Sequence, residues 1–328
     1  MVVFVDESIV IGGQKVLLIL GTPTSNICPQ KGLVHQDMVV LYVGFGKEWR
    51  SEMIEAKLGT IANQNPISYV VSDRGTNLVK CFQSGNYISV SDITHVFANE
   101  LKRLYEKDET FVEFTKLIGQ IRKAWYLSSE KSQYIPPKMR TRLRFANLFP
   151  CVDWAMKILQ QWPELDEPIT EKLMFLKQQQ AFIQTLNQLQ KIFKDICELL
   201  KNQGFSMEQK TKALSILASI QAEEKTQIFS NKVVVYLEEL SQKMLQTKQE
   251  HIICCSDIIE SFFGKFKEKA NTKGHQKLTE FVFTIANFSN NFNTDEIKQA
   301  LEFSKVKDFK DLIKGNNKTT KNERTFTG

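Results

Sequence analysis

The first ninety residues alternate short apolar runs with turn residues. Val2 to Val5, Lys15 to Leu20 and Met38 to Val43 are rich in Val, Leu and Ile. Gly12-Gly13, Gly21 to Pro23 and a polar stretch over 24–37 separate them, so the pattern predicts three consecutive strands in a meander. A helical pattern from Trp49 to about Ala62 follows. After it come a fourth strand over Ile67 to Val71, a short helix around Leu78 to Phe82 and a fifth strand over Tyr87 to Val90.

From Ile93 onward the apolar spacing changes to three and four. Leu101 to Tyr105, Phe111 to Ile121, Trp154 to Leu159 and Glu171 to Leu200 all carry it. The clearest run is Phe182, Leu186, Leu189, Phe193, Ile196, Leu200, whose spacings alternate four and three. It predicts a long amphipathic helix packed in a bundle; a dimeric coiled coil is less favoured because the seam covers fewer than three heptads. Pro136-Pro137, Pro150, Pro163 and Pro168 punctuate the helices before it. Further helices are expected at about 208–221, 231–247, 252–268 and 276–287. No internal repeat is evident, and the polar tail from Gly315 reads as disordered.

A chain of 328 residues holds two ordinary domains or one with a large insertion, and buries a substantial core in either case. Its six cysteines (Cys28, Cys81, Cys151, Cys197, Cys254, Cys255) include no CxxC spacing, so the pattern suggests neither zinc nor a disulfide framework. The opening MVVFV is too short for a signal peptide, and no apolar stretch approaches the ~20 residues of a membrane span. The expectation is a soluble protein of a reducing compartment with no membrane partner. That compartment is the cytoplasm, with association to the nucleoid in a bacterium, or the nucleus in a eukaryote.

Charge changes this picture locally. The net charge is +6, and seven basic residues against the single acid Glu130 between Ile121 and Arg144 account for all of it. Lys138, Arg140, Arg142 and Arg144 form the densest part. A local excess of this kind suits a polyanion, because neutralised phosphates release counterions; a solvated charged face is the competing reading.

Three acids stand out against the apolar pattern: Asp6 in VVFVDES, Asp73 in YVVSDRGTN and Glu260 in CSDIIESFFGKFK. Asp6 occupies a position where a strand interior normally holds an apolar side chain. Asp73 ends a strand and is followed by Arg74-Gly75-Thr76-Asn77, a turn into a helix. Each aspartate alone is explained as a turn or cap residue. Together, on the first and fourth strands, they suggest carboxylates gathered around divalent metal. Such a set holds two hard cations, one activating an attacking oxygen and the other stabilising a leaving one.

The order of three strands, helix, strand, helix, strand is that of the ribonuclease H fold. With VVFVDES, SDRGTN, Asp92-Ile93-Thr94-His95 and DIIESFFGKFK, the chain resembles DDE-type DNA transposases, and among them the hAT-like layout. In that layout an all-helical insertion separates the second aspartate from the glutamate. The resemblance spans residues 1 to about 285. It implies an α/β ribonuclease H-like core, a mixed five-stranded sheet with helices, interrupted by a large all-α insertion. The implied organisation is a first part of the core at 1–95, the insertion at 96–250, a second part carrying the glutamate helix at 251–290, and a helical, basic tail at 291–328.

The resemblance also implies roles. Asp6, Asp73 and Glu260 would be catalytic and would ligate two Mg²⁺ or Mn²⁺ ions. Asp257 competes with Glu260, lying three residues earlier on nearly the same helical face, but it follows Ser256 as a helix-start acid does. Asp92 and His95 would support the site from behind, positioning the fifth strand or touching the scissile phosphate; for His95 the competing reading is burial against its own helix. Lys265 and Lys267 would hold DNA phosphate, as would Lys138, Arg140, Arg142 and Arg144. Trp125 and Trp154 flank the basic segment, and their expected place is the core rather than a base stack. The partners would be transposon ends and target DNA, bound by a homo-oligomer. Asp6 lies so near the first residue that no end-recognition module precedes it, which suggests N-terminal truncation, an internal start, or a family that reads its ends through the insertion. A non-catalytic, domesticated DNA-binding protein and a structure-specific nuclease of the same fold are the alternatives.

Overall fold

The computed structural model describes residues 1–11, 14–29, 31–126, 132–139, 148–219, 223–272, 280–289, 295, 298–299 and 302. It forms two compact units, one of Met1–Asp92 with Gln246–Gly328 and the other of Ile93–Leu245.

The first unit is built on a five-stranded mixed sheet. Its strands are β1 (Val2–Ile11), β2 (Gln14–Thr22), β3 (Val39–Gly46), β4 (Tyr69–Ser72) and β5 (Ser89–Ser91), arranged in the order β3-β2-β1-β4-β5. The meander predicted for the first three strands is present as two antiparallel ladders. β4 lies parallel to β1, and β5 parallel to β4. Parallel neighbours need a crossover, which α1 (Ser51–Gln64) and α2 (Thr76–Ser84) supply.

Strand alternation sends successive side chains to opposite faces. Val3, Val5, Leu17, Ile19 and Val70 share one face and form a buried cluster with Ile54 and Leu58 of α1 and Leu78 and Phe82 of α2. Phe4, Leu18, Tyr69 and Val71 alternate with them and are fully buried. The chain returns to this second face as α10 (Asp257–Thr272), which touches β1, and as a 3-10 stretch, Glu280–Ser289, which touches β3. The apolar pattern had predicted an α-helix there.

The second unit is all helical among its described residues. It holds α3 (Ile93–Tyr105), α4 (Glu109–Trp125), α5 (Phe149–Gln160), α6 (Glu167–Gln178), α7 (Gln180–Gln203), α8 (Met207–Ala218) and α9 (Glu224–Thr247), the last running just past the unit's boundary. The stretch expected as helical from Glu171 to Leu200 is two helices, broken at Gln179. Pro150 and Pro168 sit in the first turns of α5 and α6, where proline costs no hydrogen bond. α7 packs against α3, α5, α6 and α8, so its apolar stripe is the axis of a bundle. Phe97 meets Phe193, Phe229 and Tyr236 edge-on at 5.6–5.9 Å. The helix ends at Gly204 with φ 69°, a conformation that favours glycine. No described helix is long and apolar enough to cross a membrane.

Candidate functional site

Two parallel pairings bring the aspartates of the sheet into line. Val2, Val3 and Phe4 pair with Tyr69, Val70 and Val71. The same register carried two residues further sets Asp6 level with Asp73. On the other side of β4, Val70, Val71 and Ser72 pair with Ser89, Val90 and Ser91, so the next step sets Asp73 level with Asp92. Adjacent strands lie about 4.8 Å apart. Continued past their last printed pairs, the two registers would set the three aspartates side by side beyond the ends of β4 and β5. By alternation Asp6 shares the face of Phe4 and Leu18, the face on which α10 packs.

The loop bearing Asp73 is braced from several directions. Asp73 Oδ1 accepts from the Gly75 backbone N–H at 2.9 Å, and a Cβ at position 75 would stand 3.0 Å from that same oxygen. A side chain at position 75 would press on the Asp73 carboxylate and move it by a few tenths of an ångström. Arg74 Nε donates to Ser91 Oγ at 3.1 Å and Asn77 Nδ2 to the Trp49 carbonyl at 3.0 Å, tying the turn to β5 and to the start of α1. Asp73 itself is half-buried.

Asp92 joins this loop to the glutamate helix. Its backbone N–H donates to the Ser72 carbonyl at 2.8 Å, extending the ladder by one step. Its carboxylate, 1% exposed, accepts from the Ser256 backbone N–H at 2.6 Å and from Ser256 Oγ at 2.9 Å. Ser256 immediately precedes α10 and its carbonyl receives the N–H groups of Ile259 and Glu260. One buried aspartate thus holds the residue before Asp73 and the residue that opens the helix of Glu260. The fully buried Tyr69 adds a second tie, accepting from the Ile253 N–H at 2.8 Å; burial raises its phenol pKa.

Within α10, Asp257 is the first helical residue and exposed, while Glu260 is half-buried in the first turn. Both acids lie at the positive end of the helix dipole. Ser261 Oγ lies 3.3 Å from His35 Nε2, and the His35 ring stacks on Phe262 with centroids 4.5 Å apart. Burial first, and then the charge of Lys265, lower the His35 pKa.

Among the described residues, the group whose ligand atoms all lie within 4.8 Å of one another is Asp92, Cys255 and Asp257. It differs from the expected triad of Asp6, Asp73 and Glu260. Asp92 in this group is already committed to Ser256, and Cys255 adds a soft sulfur donor. Cys255 carried no spacing signal, because its companions come from β5 and from the next turn of chain.

The remaining expected positions are dispersed. His95 is half-buried in the first turn of α3, in the helical unit. Lys265 and Lys267 are exposed on α10, and Lys138 is exposed in the helical unit. Arg140, Arg142 and Arg144 lie outside the described residues, as does the tail from Gly315. Trp125 and Trp154 are core residues, 4% and 8% exposed, with Trp154 Nε1 donating to the Tyr134 carbonyl at 3.1 Å. No known protein-family model matches the chain, and no curated protein matches it.

Proposed function

We propose that the sheet unit is a ribonuclease H-like core that breaks and joins DNA strands by metal-dependent phosphoryl transfer, as a DDE-type transposase does. The observation that carries this reading is the parallel register of β1 with β4, which continued two residues would set Asp6 level with Asp73, together with a helix whose first turn holds Glu260 and whose start is tied to Asp92. The strand order β3-β2-β1-β4-β5 supports it.

The donor set suits Mg²⁺ or Mn²⁺. Carboxylate oxygens are the ligands hard cations prefer, and Gly75 orients the Asp73 carboxylate through Oδ1 while leaving Oδ2 to coordinate. Asp6, Asp73 and Glu260 would hold two such ions, which supply Lewis acidity to the attacking and leaving oxygens when bound. Asp92 does not ligate in this reading; it keeps the Glu260 helix in register with the strand ends. In cleavage, water attacks the scissile phosphorus, the P–O3′ bond breaks, and the products are a 3′ hydroxyl and a 5′ phosphate. In joining, that hydroxyl attacks a target phosphodiester and one P–O bond replaces another without external energy. Lys265 and Lys267, exposed on the same helix, would hold phosphates of the bound strand.

The test is a cleavage and joining assay on DNA bearing the cognate element ends, with Mg²⁺ or Mn²⁺. Asp73→Asn and Glu260→Gln are expected to lower cleavage by at least about 100-fold while leaving the circular dichroism unchanged. Equal activity in the wild type and both variants overturns the assignment. Cleavage without joined products would instead identify a nuclease of the same fold.

A further inference from the structure

The end of α4 forms one wall of a cavity of about 520 Å³ in the helical unit, within the about 300–1,000 Å³ typical of ligand clefts. Its lining includes Gly119, Arg122, Lys123, Tyr126, Lys138 and Met139. Arg122 belongs to the wall: its Nη1 donates to the Pro136 carbonyl at 2.5 Å, and its guanidinium carbon lies 5.8 Å from the Tyr126 ring centroid. Lys123 and Lys138 are exposed, and neither makes an ion pair among the described residues. Tyr126 is 66% exposed, unusual for an aromatic side chain with a core beside it.

From these features we infer that the cavity holds unpaired nucleotides of a nucleic-acid strand, with phosphates on Lys123 and Lys138 and a base against Tyr126. Three cations around an open aromatic face match what single strands recognise, a cationic track with a stacking platform. Arg122, Lys123 and Lys138, all in the cavity lining, supply the complementary charge. A concavity of this volume admits a nucleotide but not a duplex. Sequence reasoning expected Trp125 and Trp154 in the core rather than in a base stack; both are buried, and the exposed ring is the neighbouring Tyr126. The inference deepens the DNA-processing reading and rests on it only for DNA as the natural strand.

The full chain is titrated against labelled 12-nucleotide single strands of DNA and of RNA, and against the matching DNA duplex, by fluorescence anisotropy in EDTA so that the carboxylate site has no metal. Either single strand is expected to bind at least about ten-fold more tightly than duplex, and the tighter of the two names the natural source. Tyr126→Ala is expected to weaken binding about ten-fold. The double variant Lys123→Gln with Lys138→Gln should lower the slope of log affinity against log salt by about 1.4, from two phosphate contacts at about 0.7 each. Gly119→Phe tests the cavity without changing charge. A Cβ there meets nothing within 4 Å, so the added ring should fill the space and reduce binding by a similar factor with helicity intact.

Wild-type affinity in all three variants overturns the inference, as does duplex binding equal to single-strand binding. Displacement by polyglutamate as effective as by unlabelled strand also overturns it, by showing an anion site of no nucleotide character. Loss of strand binding at Tyr126 together with undiminished cleavage by Asp73→Asn would retain the cavity and discard the catalytic reading; the converse pattern would do the opposite.

Discussion

His35 reports on the packing of α10. It stacks on Phe262 and approaches Ser261, so the helix that carries Glu260 rests partly on an imidazole. Burial and Lys265 lower its pKa below the ordinary value of about 6.5. The unfolded chain therefore takes up a proton at a pH where the folded chain resists it. Stability attributable to His35 is complete above about pH 6.5 and falls as pH drops from there toward the lowered folded pKa. Thermal melts across pH 5 to 8 should show this, and His35→Gln should flatten the dependence below pH 6.5. A variant that loses stability on acidification as steeply as the wild type would remove His35 from this role. Gly75 makes a complementary point, since what a side chain there would meet is the Asp73 carboxylate, 3.0 Å away at Oδ1, and not an unfavourable backbone conformation.

Helix α10 is positioned by its N-terminus. Its opening residue Ser256 gives both backbone N–H and hydroxyl to one buried carboxylate, and hydrogen bonds to a charged group contribute about 1.5–3 kcal/mol. Asp92→Ala is expected to destabilise the protein by about 2–3 kcal/mol in urea denaturation, whereas Asp92→Asn, which keeps an acceptor, should cost less. Equal losses in the two variants would show that charge, not the hydrogen bonds to Ser256, is what matters there. The helical periodicity of IIESFFGKF was readable without a structure. That Asp92 anchors it was not, because 164 residues of chain separate the partners and nothing local in SVSDITH distinguishes a strand-end turn acid from an anchor.

The two compact units divide the chain so that the sheet unit is completed by residues from both ends of the described chain, with the helical unit inserted between. This is why acids at positions 6, 73 and 260 belong to one unit. If they share divalent metal, its binding stabilises the folded state by mass action, by about 2.7 kcal/mol at a concentration one hundred times Kd. Mn²⁺ titration should therefore raise the melting temperature of the wild type, and Asp6→Asn should lose most of the rise. An unchanged Mn²⁺ effect in Asp6→Asn, with loss in Cys255→Ala, would assign the metal to the Asp92, Cys255 and Asp257 group instead.

Strand and helix identity in the first ninety residues followed from local pattern. Runs such as VVFV and VLLIL are apolar and β-branched enough, with glycine pairs or glycine and proline in the turns that follow their strands, to leave a single period. The long stripe from Phe182 to Leu200 was equally plain, since six apolar positions at spacings of four and three define one helical face. Elements without such redundancy were misread: the break at Gln179 carries no proline or glycine, and the apolar EFVFTIANFS winds as a 3-10 stretch against β3 and α10. The register of β1 with β4 and of β4 with β5, on which any alignment of Asp6, Asp73 and Asp92 rests, depended on tertiary structure, because parallel register is set by how side chains pack across two faces and not by any one strand. So did the exposure of Tyr126 beside the buried Trp125. Two adjacent aromatics are equivalent to a sequence, and only the packing of one face of α4 against its neighbours decides which one faces solvent.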